Sequence, residues 1–406
     1  MPSYPIVSAL QRHKTAVALI VLQIAIACAI LCNAIFVIGD RVSRMLQPSG
    51  IDEDRLVMIE SIGLNPETKA GVRIAEDLAA LRAVVGVESA ISVGQFPFAS
   101  NSWNTSLSLK EDQQDPTLTT NMVTADPRFL QASGLKLKQG RWFTESEYQP
   151  AEVVFGGGTV KFPLMVVTED LAEKLFPGES ALGKTVYGMG EGGSRIVGIT
   201  GNMLAPGGQP GGDPANTYSS LFIPVTSDMS WYVLRTTPQQ RASVLKAGVD
   251  SLNRLDSNRI INAQRTLQEM RSRYYSRDRA VTWLLVVVSM LLLLITAFGI
   301  GGLASFWVQQ RTKQIGVRRA LGATRGQILR YFQAENFIIV TVGVMLGMML
   351  AYGINQWLMG KYELPRLPWF YLPIGAMSLW LLGQLAVLWP ALRAAAIPPA
   401  TATRSV

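Results

Sequence analysis

Residues 178–185, GESALGKT, fit the spacing G-x-x-x-x-G-K-[ST], in which backbone amides and a lysine cradle nucleotide phosphates. That chemistry needs a buried strand before the loop and a helix after it. Here KLFP, ending at Pro177, comes before, and TVYGMGEGG follows. These flanks predict a turn leading into a strand, not a phosphate site. The other candidates are poorer still. His13 is the sole histidine, so residues 40–279 hold no Ser–His–Asp triad, His-dependent zinc site or Cys–His pair. Glu145/Glu147 and Glu169/Asp170 are ordinary surface spacings. Cys28 and Cys32 stand four apart on one helix face and read as packing groups. The expectation is a non-catalytic chain with no catalytic site, no cofactor and no metal.

The elements around these residues explain the poverty. Nearly half of the 406 residues are hydrophobic and only 16% are charged, low for a soluble protein. The apolar excess is concentrated in residues 16–38, 281–308, 337–359 and 371–392, none of which holds a formal charge. Each is long enough to cross ~30 Å of hydrocarbon, which takes ~20 helical residues. The first has too long an apolar core for a signal peptide and lacks a clear small-x-small site before Asp40, so it reads as an uncleaved anchor.

Cation placement gives the orientation. Arg12 and Lys14 precede span 1, six Lys/Arg lie between spans 2 and 3, and Arg393 and Arg404 follow span 4. All fall on one side, which the positive-inside rule makes cytoplasmic. Arg271, Arg273, Arg277 and Arg279 oppose the rule, but long domains translocate largely regardless of charge. The expected order is a cytoplasmic tail (1–15), span 1 (16–39), an extracytoplasmic domain (40–279), span 2 (280–308), a cytoplasmic loop (309–335), span 3 (336–359), a short external loop (360–370), span 4 (371–392) and a cytoplasmic tail (393–406). Both termini are then cytoplasmic, and membrane lipid is one partner. The net charge of +8 is largely accounted for by these flanks, and no nucleic-acid motif accompanies it.

Within 40–279 two similar units appear. RLVMIE (55–60), AEDLAALRAVV (75–85) and ESAISV (88–93) read as strand, helix, strand. WYVLRT (231–236), PQQRASVLKAGVDSLN (238–253, opened by Pro238) and RIINAQ (259–264) repeat the order. Together they predict a split α/β sheet interrupted by a β-rich lobe at about 96–225. Gly156–Gly158 and APGGQPGGDP (205–214) are turn or loop signals. From Gln264 to Gln310 there is no Pro, and no Gly before Gly299. One continuous helix there would measure about 70 Å and would form a stalk with DRVSRMLQ (40–47). The fold class is thus a four-span helical membrane protein with a large extracytoplasmic α+β domain on a helical stalk.

The loop 309–335, QQRTKQIGVRRALGATRGQILRYFQAE, holds Arg311, Lys313, Arg318, Arg319, Arg325 and Arg330 and no acid before Glu335. Span 2 can run on to Leu321, where Gly322 supplies a helix C-terminus. Thr324 and Gln327 form a capping box that starts a second helix. Arg311, Arg318 and Arg325 would share a face if the helix ran through. A defined elbow with apolar Ile315, Leu321, Ile328 and Phe332 suits docking onto another cytoplasmic protein; a plain topogenic loop is the alternative. Gly343-x-x-x-Gly347 lets helices approach closely, within the bundle or across a dimer. Charge-free spans argue against an ion pathway.

The sequence RTKQIGVRRALGATRGQIL closely resembles the signature of FtsX-like, MacB-type permeases, membrane subunits of ABC transporters. Residues 124–147 (TADPRFLQASGLKLKQGRWFTESE) and 166–186 (VVTEDLAEKLFPGESALGKTV) resemble the MacB-type periplasmic core domain, and 389–404 (WPALRAAAIPPATATR) the family's closing segment. Gln314 stands where that family commonly has Glu. The resemblance implies a homodimer working with a separate cytoplasmic ATPase, because this sequence carries no nucleotide-binding domain. It implies mechanotransmission: ATP hydrolysis moves the outer domains, with a periplasmic adaptor and an outer-membrane exit duct as partners in efflux. It places ATPase coupling on Gln314, Ile315, Gly316, Arg318, Arg319, Ala320, Leu321, Gly322 and Ala323. Control of an external cell-wall hydrolase, and lipoprotein extraction, are the alternatives within the family.

Overall fold

The computed structural model describes residues 14–64, 69–99, 101–155, 161–206, 216–362 and 366–396. His13, the Gly156–Gly158 turn, residues 207–214 of the glycine-rich run and the tail after 396 lie outside them. The chain divides into a helical unit, Met1–Leu46 with Asp278–Val406, and a sheet unit, Gln47–Arg277.

The first element is α1 (Lys14–Met45). The sheet unit follows with β1 (Leu56–Gly63), α2 (Ala70–Arg82), β2 (Ser89–Ser92), β3 (Asn104–Leu107), β4 (Leu118–Thr124), α3 (Phe129–Ser133), β5 (Leu137–Gly140), β6 (Gln149–Pro150) and α4 (Ala151–Phe155). It continues with β7 (Leu164–Thr168), α5 (Glu169–Leu175), β8 (Thr185–Val186), β9 (Ser194–Thr200), β10 (Ser220–Ile223), β11 (Val225–Thr226), β12 (Trp231–Arg235), α6 (Arg241–Leu255), β13 (Arg259–Thr266) and α7 (Leu267–Tyr274). The chain then enters α8 (Ser276–Gln310), α9 (Thr312–Ala320), α10 (Arg325–Tyr362) and α11 (Tyr371–Ala396).

The two repeated strand–helix–strand segments interleave in one antiparallel sheet of order β13-β1-β12-β2. Each unit's strands are parted by a strand of the other, the split arrangement expected. Ile74, Leu78 and Leu81 on α2, and Val244 and Leu252 on α6, close over Val57, Ile59, Tyr232 and Leu234. At Gly248 a Cβ would stand 2.8 Å from the Ile59 Cδ1, so glycine lets α6 settle onto the sheet. Helix α6 opens at Arg241, not Pro238, because the Gln240 N–H bonds the Thr237 carbonyl at 3.0 Å and closes a turn first. The residues between β2 and β12 build a second, mixed sheet of order β3-β4-β10-β7-β9-β5, with β8 on β9. Met165, Val167, Leu171, Ile196, Leu221 and Ile223 fill its core. The α+β class with an inserted β-rich lobe is therefore the observed fold.

A single helix from Gln264 to Gln310 is not what forms. Gln264, Arg265 and Thr266 are paired in β13 with Ile59, Met58 and Val57. Thr266 then caps α7 in a reciprocal box with Glu269, at 3.0 and 3.2 Å. Tyr275 ends α7, and α8 starts afresh at Ser276. The capping box and the strand pairing override the absence of Pro and Gly.

Four helices are long and apolar enough to span a membrane: Lys14–Met45, Ser276–Gln310, Arg325–Trp357 and Tyr371–Ala396. Helix α10 packs on α1 and on α11. A Cβ at Gly343 would stand 2.8 Å from Ile24, and one at Gly347 would stand 2.7 Å from the Ala25 carbonyl oxygen. Both glycines therefore seat α10 on α1 of the same chain. Trp369 is exposed at one end of α11 and Trp389 at the other, with the Arg393 guanidinium 4.2 Å from the Trp389 ring.

Candidate functional site

The elbow 309–335 is built from three local signals. Helix α9 ends in a Schellman motif: the Ala323 N–H reaches the Arg318 carbonyl at 3.0 Å and the Gly322 N–H the Arg319 carbonyl at 3.1 Å. Gly322 has φ +96°, which glycine adopts without strain. Helix α10 then opens with the capping box: the Thr324 N–H donates to Gln327 Oε1 at 2.9 Å and the Gln327 N–H to Thr324 Oγ1 at 3.3 Å. Only Leu321, Gly322 and Ala323 separate α9 from that cap, so the tip is tight.

The structure sorts the nine coupling candidates by exposure. Gln314, Arg318, Ala320, Leu321 and Gly322 are exposed, and Arg319 and Ala323 half-buried. Leu321 is 83% exposed at the tip. Ile315 and Gly316 are buried. The apolar docking face read from Ile315, Leu321, Ile328 and Phe332 needs correction. Ile315, Ile328 and Phe332 belong to the core of the helical unit, because the phase of α9 and α10 turns them inward. Val317 and Leu321 are the large apolar groups the elbow presents outward.

Nor do Arg311, Arg318 and Arg325 share a face. Arg311 lies outside the helical range at φ −100° and separates α8 from α9, and Gly322 separates α9 from α10. Arg318 lies over the Tyr331 ring at 5.1 Å. Arg311 instead bonds Glu335 at 2.8 and 3.1 Å. This pair escapes a reading of residue spacing, although a lone acid at the mouth of an apolar run is a signal for one.

GESALGKT is a turn into a strand, as its flanks require. Gly178 and Gly183 take φ +72° and +80°, and Thr185 begins β8. Lys184 pairs with Glu179 and lies 4.3 Å from the Phe176 ring centroid, so its ammonium is already engaged by this chain.

A second buried charge group sits in the sheet unit. Arg259 grips Asp77 with two bonds of 2.9 Å, and the Tyr232 hydroxyl donates to the same carboxylate at 2.5 Å. Burial, and then the Asp77 charge, push the Tyr232 hydroxyl well above the usual phenol range. It ties α2, β12 and β13 together, and its side chains are sealed from solvent, so it is a structural clamp.

Four helices long and apolar enough to span a membrane, with a split βαβ sheet and a β-rich lobe between the first and second, are the architecture to be compared with known membrane proteins. Residues 15–252 match the MacB-like periplasmic core domain, and residues 286–399 match the FtsX-like permease C-terminal domain. The chain belongs to this MacB/FtsX-like permease family and is a multi-pass membrane protein.

Among its relatives is YknZ of Bacillus subtilis, described as an uncharacterized ABC transporter permease. The two are 23% identical over 362 residues, 85% of this chain and 82% of YknZ. The macrolide export ATP-binding/permease protein MacB of Aggregatibacter actinomycetemcomitans is 25% identical over 243 residues, 57% of this chain. That match spans 35% of MacB. The solved extracellular domain of YknZ aligns over 51% of this chain and 100% of its own length, with 18% identity and a TM-score of 0.32.

Proposed function

We propose that the chain is the membrane subunit of an ABC transporter whose ATPase is a separate cytoplasmic polypeptide, and that the elbow 309–335 is where that ATPase docks. One observation carries the reading. A Schellman motif and a capping box hold a tight tip on which Leu321 is exposed, as Gln314 and Arg318 are, which is more order than a topogenic loop requires. The six cations support a cytoplasmic elbow and, with it, cytoplasmic termini under the positive-inside rule. The sheet unit then lies outside, where ATP-driven motion of the helices does work on a substrate that is expelled. Two copies, each with its ATPase, act with a periplasmic adaptor and an outer-membrane exit duct. Gln314, uncharged where the family resemblance leads one to expect Glu, weakens or retunes the contact with the ATPase.

Charge reversal tests the docking. Arg318→Glu with Arg319→Glu is expected to weaken ATPase association by on the order of tenfold or more, because reversed charge at an interface is repulsive. Substrate-stimulated hydrolysis should fall with it, while the permease keeps its fold. Unchanged co-purification and stimulation would remove the docking claim. Lys184→Ala is expected to leave ATP hydrolysis by the complex unchanged; its abolition would reinstate residues 178–185 as a phosphate site.

A further inference from the structure

The root of the elbow is held by charge. At Arg311 the backbone bends, with φ −100° and ψ 10°. Helical bonds flank it on both sides: the Arg311 N–H bonds the Trp307 carbonyl at 3.1 Å and the Ile315 N–H bonds the Arg311 carbonyl at 2.9 Å. Because Arg311 lies outside the helical range, no continuous helix fixes the α8–α9 joint, and a side-chain contact across to α10 can set its angle. Arg311 Nη1 lies 2.8 and 3.1 Å from the two carboxylate oxygens of Glu335 on α10, and its guanidinium lies 5.9 Å from the Trp307 ring centroid.

Glu335 is 1% exposed. Ile300, Ala304, Trp307, Phe332 and Val387 help wall a cavity of about 20 Å³ that Glu335 also lines. The carboxylate is therefore sealed from bulk solvent. Removing one member of a buried pair leaves an uncompensated charge and is strongly unfavourable. Arg311 cannot swing away from α10 without incurring that penalty. The pair closes a ring that runs from the end of α8 through α9, the tip and the first turns of α10, back to Glu335.

We propose that Arg311 and Glu335 are positioning residues: their ion pair locks the root of the elbow, so that a displacement of the tip moves α8 and α10 together instead of being absorbed by bending at Arg311. This rests on the elbow being the docking element, and it adds to that reading the device that passes the motion on. Neither residue belongs to the exposed docking surface.

Hydrogen–deuterium exchange on the full-length permease in detergent micelles tests the lock, with stimulated ATPase activity measured on the complex. The variants are Glu335→Gln, Arg311→Gln and the reversed pair Arg311→Glu with Glu335→Arg. Each single variant should speed exchange of amides 312–323 by about tenfold or more and leave 341–351 protected. The complex should still co-purify but lose stimulation, and the reversed pair should recover protection and part of the stimulation. Unchanged exchange at 312–323 in the single variants overturns the proposal. So does acceleration spread equally into 341–351, which is what a general packing role gives.

Glu335→Asp, which keeps the charge but shortens its reach, serves if the neutral variants do not fold. Intermediate acceleration confined to 312–323 supports the lock, and none refutes it. Failure of the docking reading is separate, because it shows as absent co-purification of the parent protein.

Discussion

Asp77→Ala is expected to lower the stability of the sheet unit by ~3–5 kcal/mol, the cost of stripping one partner from a buried ion pair. Asp77 is 1% exposed and lies on the buried face of α2 between Ile74 and Leu78. Without it, the Arg259 guanidinium, with a side chain 1% exposed, loses both its 2.9 Å bonds, and the buried Tyr232 hydroxyl loses its acceptor. Denaturant unfolding of the full chain, followed by exchange at α2, β12 and β13, measures the loss. The triple change Asp77→Leu, Arg259→Met and Tyr232→Phe should recover most of it, because apolar groups of similar volume replace a buried pair at little cost once the Tyr232 hydroxyl is also removed. A loss under ~1 kcal/mol for Asp77→Ala would mean that the pair behaves as a surface bridge.

The pH dependence has a definite sign. The folded chain holds the Tyr232 proton more tightly than the unfolded chain does. That contribution is complete below the ordinary phenol pKa of ~10 and is lost as the pH rises beyond it. Tyr232→Phe should abolish this alkaline component while leaving the Asp77–Arg259 bonds in place.

Signals that act over a few residues were legible. RLVMIE and WYVLRT became β1 and β12 because their β-branched and aromatic residues fit a pleated, buried surface. Gly322 and the Thr324–Gln327 pair produced the elbow because a cap needs only its own turn. Thr266 and Glu269 carry an equally plain box, yet the absence of Pro and Gly from Gln264 onward points to a longer helix than forms.

What was not legible is long-range. Asp77 and Arg259 lie 182 residues apart, and nothing in either neighbourhood names the other. Arg311 and Glu335 are 24 apart, but they meet only once α9 and α10 have folded back. The apolar residues of the elbow carry the same ambiguity. Ile315, Ile328 and Phe332 look like a docking face in a basic loop, and only the packing of the helical unit shows them turned inward. Exposure of Leu321 and burial of Ile315 differ by helix phase, not by residue type.

The same ambiguity of partner attends Gly343 and Gly347, and here a substitution separates the outcomes. Gly347→Val is expected to destabilise the helical unit by ~1–3 kcal/mol or more, the range for overpacking a close contact. The obstacle is backbone: the added carbon would stand 2.7 Å from the Ala25 carbonyl oxygen. It cannot be relieved by a rotamer change, so α1 must move off α10. Gly353→Val, on the same helix, meets no heavy atom within 4 Å of its Cβ. Valine is no worse than glycine in a helix interior, so this control should be neutral or slightly stabilising. Unfolding in mixed micelles of rising denaturing-detergent fraction compares the two, and equal effects would refute the packing role of Gly347. Because the contact lies within one chain, the loss should not change with the protein-to-detergent ratio. A loss that grows on dilution would instead assign Gly347 to an interface between two copies and leave the approach of α1 to α10 to the groups around Gly343.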